Sequence, residues 1–287
     1  MFENHRNTTN RNATVLVLGA TGMTGRRVAE RLTAAGVSVR RGSRSSPLRF
    51  DWNDDSTWPA AVRGATAAYV SYYPYLSFPG AADTVGAFAE LAVASGIRRI
   101  VLLSGRGEEG ARRAEDAVQR SGAEWTIVQS SFYAQNFSET FLLDSVLDGV
   151  IAFPGGDVGE PFIDADDVAD VAAVALTDDR HAGQVYEVTG PRLLTFADVA
   201  GEIAKATGRH IEYMPISSDE FAAALEGEGI PLDLVHGLTA LFASVLDGRN
   251  AHLDNGVQRV LGRRSRDFHD YARDTAATGI WTEAAER

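Results

Sequence analysis

Over its first half the chain alternates short apolar runs, rich in β-branched residues, with stretches of helical periodicity. TVLVL (residues 14–18) reads as a buried strand, and the pattern after it puts Val28 and Leu32 on one helical face before Gly36, a residue suited to a helix C-terminus. VSVR (37–40), LRF (48–50), AAYVS (67–71), RIVLL (99–103) and WTIV (125–128) supply further strands, most of them separated by helical patterns. Strands that read as continuous apolar runs between helices predict an α/β fold, a doubly wound parallel sheet covered on both faces. Beyond about residue 153 the pattern shifts to helices with isolated strands. FIDADDVADVAAVAL reads as a strand end feeding a helix, QVYEV (184–188) as another strand, and Thr195 to Asp198 and Ser217 to Glu220 as capping boxes. The expected organisation is a flexible polar tail (1–12), a sheet domain (13–153) to which the chain returns near 184–190, and a smaller, mostly helical domain (154–287).

Three glycines punctuate the first strand-to-helix junction, LVLGATGMTGRRV: Gly19, Gly22 and Gly25. Glycine there lets the chain turn tightly, lets backbone N–H groups approach a pyrophosphate at the positive end of a helix, and lets helix and strand pack closely. In this context the motif predicts dinucleotide binding by Gly19, Thr21, Gly22, Met23, Thr24 and Gly25. The end of the second strand chooses between dinucleotides. An acid there would bind a ribose 2′-hydroxyl, whereas VRRGSRSS offers Arg40, Arg41, Ser43 and Arg44 and no acid from 36 through 50. Guanidinium groups suit a 2′-phosphate, so the expected cofactor is NADP(H).

Composition narrows the field. The 287 residues, 45% hydrophobic, are enough for a sizeable core, and a formal charge of −12 argues against a nucleic-acid surface. There is no cysteine, which excludes disulfides, thiolate nucleophiles and Cys-ligated metals. No stretch approaches a membrane span and the N-terminus has no apolar leader, so a cytoplasmic protein without membrane partners is expected. The aspartates Asp164, Asp166, Asp167 and Asp170 are better explained by helix capping than by a metal, and no metal is expected.

LVLGATGMTGRRV, FDWNDDSTW, SGAEWTIVQSSFYAQNF, FIDADDVADVAAVAL and GQVYEVTGPRLLTFADVAGEIAKATGR together resemble the NmrA-like branch of the atypical short-chain dehydrogenase/reductases, from about residue 14 to 215. Within it the chain looks most similar to the subgroup that includes quinone, triphenylmethane-dye and ergot-alkaloid iminium reductases. The resemblance implies a Rossmann domain and a small C-terminal substrate domain with the cleft between them. It places Arg44 on the 2′-phosphate, Asp51 beside the adenine, and Ser71, Tyr72, Tyr73 and Tyr75 where the fold passes the nicotinamide ribose. Ser104 falls at the strand-end position of the family's serine. Phe132, Tyr133 and Asn136 fall in a segment that lines the pocket, and Gln129 at its floor, where relatives commonly carry arginine. Tyr72, Tyr73 and Tyr75 read either as packing tyrosines or as an aromatic wall with a phenol available as donor. Tyr72, Ser104 and Tyr133 are the catalytic candidates.

Ordinary members of the wider superfamily use a Tyr-x-x-x-Lys pair. This chain has one lysine, Lys205, with glycine at 201, so the pair cannot exist. Three functions fit that absence: a reductase of an already electrophilic aromatic or conjugated small molecule; a nonenzymatic NADP(H) sensor; or a tailoring enzyme for an aromatic or polyketide-like metabolite. The amphipathic segment ISSDEFAAALEGEGIPLDLVHGLTALFASVLDG suits a cover over a small-molecule cleft, and could equally form a homodimer face.

Overall fold

The computed structural model describes residues 14–282; the tail expected at 1–12 lies outside them. Strands β1 (Thr14–Leu18), β2 (Ser38–Ser43), β3 (Leu48–Arg49), β4 (Ala67–Val70), β5 (Arg99–Gly105) and β6 (Glu124–Ser130) run through the first half, followed by β7 (Val150–Phe153), β8 (Gln184–Val188) and β9 (Glu212–Pro215). Seven of them form one sheet in the order β3-β2-β1-β4-β5-β6-β8, parallel throughout. The order reverses between β1 and β4, which opens a crevice at their carboxyl ends, the place where this class of sheet binds ligands.

Successive side chains of β1 leave on opposite faces: Leu16 and Leu18 join a core with Phe50, Trp58 and Phe88, while Val15 and Val17 join one with Val28, Leu32 and Val168. Several strands outrun their apolar segments. β2 continues through Arg41, Gly42 and Ser43, in register with Val17 and Leu18 and then with β3. β5 and β6 continue through Ser104 and Gln129 to Gly105 and Ser130. Main-chain pairing carries these polar ends, and hydropathy does not register it. The strand end expected in FIDAD is instead a single bridge between Ile163 and Tyr133.

A third core is rich in aromatic rings. Phe132, Phe137, Phe153, Phe162, Phe196, Phe242 and Phe268 pack with ring centroids 4.9–6.3 Å apart. Beside it β7 and β9 pair as a separate two-stranded parallel sheet, which the sequence pattern did not reveal. Both expected capping boxes form, starting the helices Phe196–Thr207 and Ser218–Gly227. The packing crosses residue 153 in both directions: Ala134, Phe137 and Val146 belong to the aromatic core, whereas Ile163, Val168, Leu176, Val188 and Val257 pack on the large sheet.

The four aspartates around the helix Ala165–Thr177 are held by arginines. Asp166 meets Arg27 and Arg31, Asp170 meets Arg31 and Arg263, Asp167 meets Arg263, and Asp164 meets Arg266 while capping the helix at Asp166 N. The pairs from Arg27 and Arg31 lash the glycine-loop helix Met23–Ala34 to its neighbour, and those from Arg263 and Arg266 lash the C-terminal segment to it. Among the described residues no helix is long and apolar enough to cross a membrane.

Candidate active site

A cavity of about 850 Å³ opens at the carboxyl ends of β1, β2, β4, β5 and β6 and continues to the aromatic core. Its first wall is the glycine loop. Gly19 turns the chain with φ +67°, and Gly22 N–H donates to Gly19 O at 2.8 Å. The helix Met23–Ala34 then starts from Gly22 with no side-chain cap and no acid in its first turn. First-turn amides left in that state bind anions well. Gly19, Thr21, Gly22, Met23 and Thr24 all line the cavity, and Thr24 Oγ1 is fixed by the Tyr69 hydroxyl at 3.0 Å.

Gly25, expected with the cofactor-binding residues, is not on the wall. A Cβ there would stand 2.2 Å from Gly19 O, so its absent side chain serves helix-to-loop packing.

At the far end of this wall, Ser43, Arg44 and Ser45 leave β2 beside Asp51 and Asn53. The Arg44 guanidinium lies 4.6 Å from the Tyr73 ring centroid. Arg40, considered with Arg44 for phosphate binding, turns away and donates to the carbonyls of Ala61 and Arg63. Asp51 Oδ1 accepts from Asn53 N at 3.1 Å, which stiffens the turn after β3. The residues present thus fit an extended dinucleotide: uncapped helix amides in the middle, and an arginine with two serines at one end.

The middle of the cavity is formed by Ser71, Tyr72, Tyr73 and Tyr75 after β4 and by Ser104 at the end of β5. Tyr72 packs on Trp52, whose indole N–H donates to Ser71 O at 3.1 Å. Tyr75 packs on Phe78, and Tyr73 is 59% exposed, so it forms a rim rather than a floor.

Two expectations are corrected here. Ser104 was expected among the catalytic residues, but its hydroxyl donates to Glu115 Oε1, because a buried carboxylate is the stronger acceptor. Gln129 was expected at the pocket floor but does not line the cavity. Its amide donates to both oxygens of the same carboxylate, at 2.8 and 2.9 Å. Glu115 and Gln129 are therefore a polar brace behind the wall, and Ser104, on the wall, is tied to it through its hydroxyl.

Beyond Ser104 the cavity becomes aromatic, with Phe132, Phe141, Leu241 and Phe242 on its walls and Tyr133 and Asn136 beside them. Ser130 Oγ donates to Tyr133 Oη at 2.8 Å. Burial pushes the Tyr133 hydroxyl well above the usual phenol range, against the opposing pull of that bond.

Residues the sequence reading passed over also stand here. Arg106, 3% exposed, donates to Glu187 at 2.7 Å and to the carbonyls of Asn250 and His252 at 2.8 and 2.9 Å. Glu160 is 3% exposed; its Oε1 accepts from Phe132 N at 3.2 Å, while its Oε2 has no partner among the described residues. Burial pushes its carboxyl up to about 7, against the Phe132 amide and the Arg106 charge. Neither residue sits in a periodic pattern or a spaced motif. The nearest signal is a lone acid before proline in GEPFID.

Leu241 and Phe242, from the helix Leu232–Val245, face the cavity, so this part of the amphipathic C-terminal segment covers it. Leu232, at the start of that helix, is 60% exposed.

The sheet, the glycine loop and the cavity at the strand ends define a Rossmann-type, dinucleotide-dependent oxidoreductase. The uncharacterized oxidoreductase YesF of Bacillus subtilis is 31% identical over 282 residues, covering 94% of this chain and 98% of that protein. The NAD(P)H azoreductase of Xenophilus azovorans is 30% identical over 285 residues, covering 92% and 98%. Among solved structures, the NADPH-dependent quinone oxidoreductase QOR2 of Escherichia coli complexed with NADPH superposes with a TM-score of 0.71 at 21% identity, covering 91% of this chain and 99% of that one. No family model matches the chain. On these similarities the chain belongs to the NmrA-like branch of the atypical short-chain dehydrogenase/reductases.

Proposed function

We propose that this protein is an NADPH-dependent reductase of activated, conjugated small molecules such as quinones, enones and iminium ions. The observation that carries the reading is the continuity of one cavity, from uncapped helix amides and Arg44 to an aromatic chamber, with the chain's single lysine outside it: Lys205 is exposed on the helix Phe196–Thr207.

In this reading the first-turn amides after Gly22 hold the pyrophosphate, Arg44 with Ser43 holds the 2′-phosphate, and Asp51 lies beside the adenine. Ser71 and Tyr72 flank the nicotinamide ribose. The bound cofactor supplies a hydride. Phe132, Phe141 and Phe242 hold a flat acceptor by apolar and ring contact, and Leu241 helps exclude water. Tyr133 keeps its proton because burial raises it, so it orients the acceptor by hydrogen bonding and does not serve as a base.

The similarities support the coarse class, since the azoreductase and the quinone oxidoreductase are named for conjugated acceptors. Loss of NADPH absorbance, followed by stopped flow across quinones, enones, iminium ions and unactivated ketones, tests the reading. Oxidation by the first three groups and little by ketones is expected. No oxidation by any acceptor, together with cofactor-dependent binding of a protein partner, would replace the reductase by a sensor.

A further inference from the structure

The acceptor end of the cavity lacks an obvious acid. The lysine lies elsewhere, the Ser104 proton goes to Glu115, and burial makes Tyr133 a poor acid. Two carboxyls remain on the wall, the half-buried Glu108 and the buried Glu160. Glu108 lies along the end of β5, where a Cβ on Gly105 would meet its Oε1 at 1.8 Å. Glu160 stands at the end of β6, anchored through one oxygen to Phe132 N, with its other oxygen buried and unpartnered.

An unpartnered oxygen on a buried carboxyl is costly. A ligand that accepts a hydrogen bond from the neutral acid removes that cost.

We propose that Glu160 is the proton donor of this site, protonating the oxygen or nitrogen of a neutral conjugated acceptor as hydride arrives. The assignment rests on the reductase reading above. The acceptor gains a hydride with its electron pair at the electrophilic atom, and its π electrons move to the heteroatom. The Glu160 O–H bond breaks, and its proton forms the new bond there. The carboxylate left behind keeps the Phe132 N–H and the nearby Arg106 charge, and takes its next proton from solvent. A cationic iminium needs no proton to complete its reduction. Glu160 therefore divides acceptors into neutral ones that require it and cationic ones that do not.

The pH dependence follows from the groups around it. Arg106, paired with Glu187 of β8, is the cation that pulls the Glu160 carboxyl down, and His252 lies 3.8 Å from the same Glu187 carboxylate. Glu108 and Tyr133, both raised by burial, face the same cavity. Burial dominates for Glu160 and leaves its carboxyl near 7, so the donor is present below neutrality and lost above it.

The test compares the wild type with Glu160→Gln, with circular dichroism and NADPH fluorescence titration confirming the fold and the cofactor site. For neutral quinones and enones the variant should lose about a hundred- to ten-thousand-fold in turnover, together with the alkaline fall of the pH profile. Turnover of a cationic iminium should change little. Independently of turnover, ¹³C NMR titration of glutamate carboxyls should show one resonance titrating near neutrality that is absent from Glu160→Gln and retained in Glu108→Gln.

Equal losses on neutral and cationic acceptors, an unchanged pH profile, or a Glu160 carboxyl that titrates in the ordinary acid range would each overturn the assignment and leave the reductase reading standing. Absence of NADPH oxidation by any acceptor in the wild type overturns that reading, and the donor role with it, even if Glu160 titrates near neutrality.

Discussion

At the glycine-loop end the cavity wall is largely main chain, and at the other end it is side chain. Gly19 to Thr24 are consecutive residues whose turn, φ sign and uncapped amides make the surface. Phe132 and Phe141, from one stretch of chain, meet Glu160 and the distant Phe242 only when the aromatic core closes. A wall of main chain admits little change of residue: Gly19 holds a φ of +67°, and behind it a Cβ at Gly25 would collide with Gly19 O. A wall of side chains can be repacked while the fold survives. On the proposed reading, cofactor binding falls to the main-chain end and substrate choice to the side-chain end.

The sharpest way to break this division is to damage the aromatic end alone. Phe153 is fully buried and packs on Phe132, Phe196, Phe221 and Phe242 at 4.9–5.9 Å. Phe153→Ala should cost about 3–5 kcal/mol of stability. Urea unfolding measures this, and NADPH affinity at low temperature should stay close to wild type. A large loss of affinity would mean that the two ends are not separable.

Gly22→Val makes the reverse cut. A Cβ at Gly22 would stand 3.3 Å from Gly19 O, a tight fit that a small shift relieves, so the chain should fold. The branched side chain, however, would stand at the uncapped helix start. Losing two charge-assisted hydrogen bonds to the pyrophosphate should weaken binding by at least about 3 kcal/mol. Calorimetric titration beside circular dichroism separates the two effects, and retained affinity would move the pyrophosphate elsewhere.

The same contrast explains what could be read before folding. The parallel sheet, the glycine loop and both capping boxes were legible because each is a local rule written in consecutive residues: apolar runs for β1 and β4, spaced glycines at 19, 22 and 25, and Thr195 with Asp198. The β7–β9 sheet was not, because its short strands are ordinary residues paired across about sixty positions. Gln129 was misplaced for a similar reason. Its position in the chain is at a strand end, but the orientation of its amide is set by Glu115, which arrives from the helix Glu109–Arg120. Glu160 and Arg106 owe their character to burial among distant partners, and nothing adjacent in sequence encodes that.

A smaller effect sharpens the cofactor end. Arg44→Ala should remove most of the preference for NADPH over NADH, about 1.5–3 kcal/mol for a charge-assisted contact. NADH affinity itself should barely change. Fluorescence titration with both cofactors checks this, and equal affinities in the wild type would deny Arg44 the phosphate. Arg40, occupied by the carbonyls of Ala61 and Arg63, should leave the preference intact when changed to alanine.

The smallest effect concerns the tie between the ends. Glu139, three residues after Asn136 of the acceptor end, pairs with Arg26 and Arg27 on the glycine-loop helix, each at 2.6 Å. Burial opposes its ionisation, but the hydrogen bonds from Arg27 and Arg26 outweigh that and hold its carboxyl below the usual range. A carboxyl lowered on folding stabilises the folded state above its unfolded value, about 4.3, and loses that contribution as pH falls through its folded value. The pair is partly exposed and screened by solvent, so Glu139→Gln should cost no more than about 1 kcal/mol at neutral pH. The difference from wild type should shrink toward zero below the ordinary glutamate range and diminish in high salt. Thermal unfolding from neutrality to acid measures it. A difference that grew on acidification would reverse the sign and remove Glu139 as the clasp between cofactor and acceptor ends.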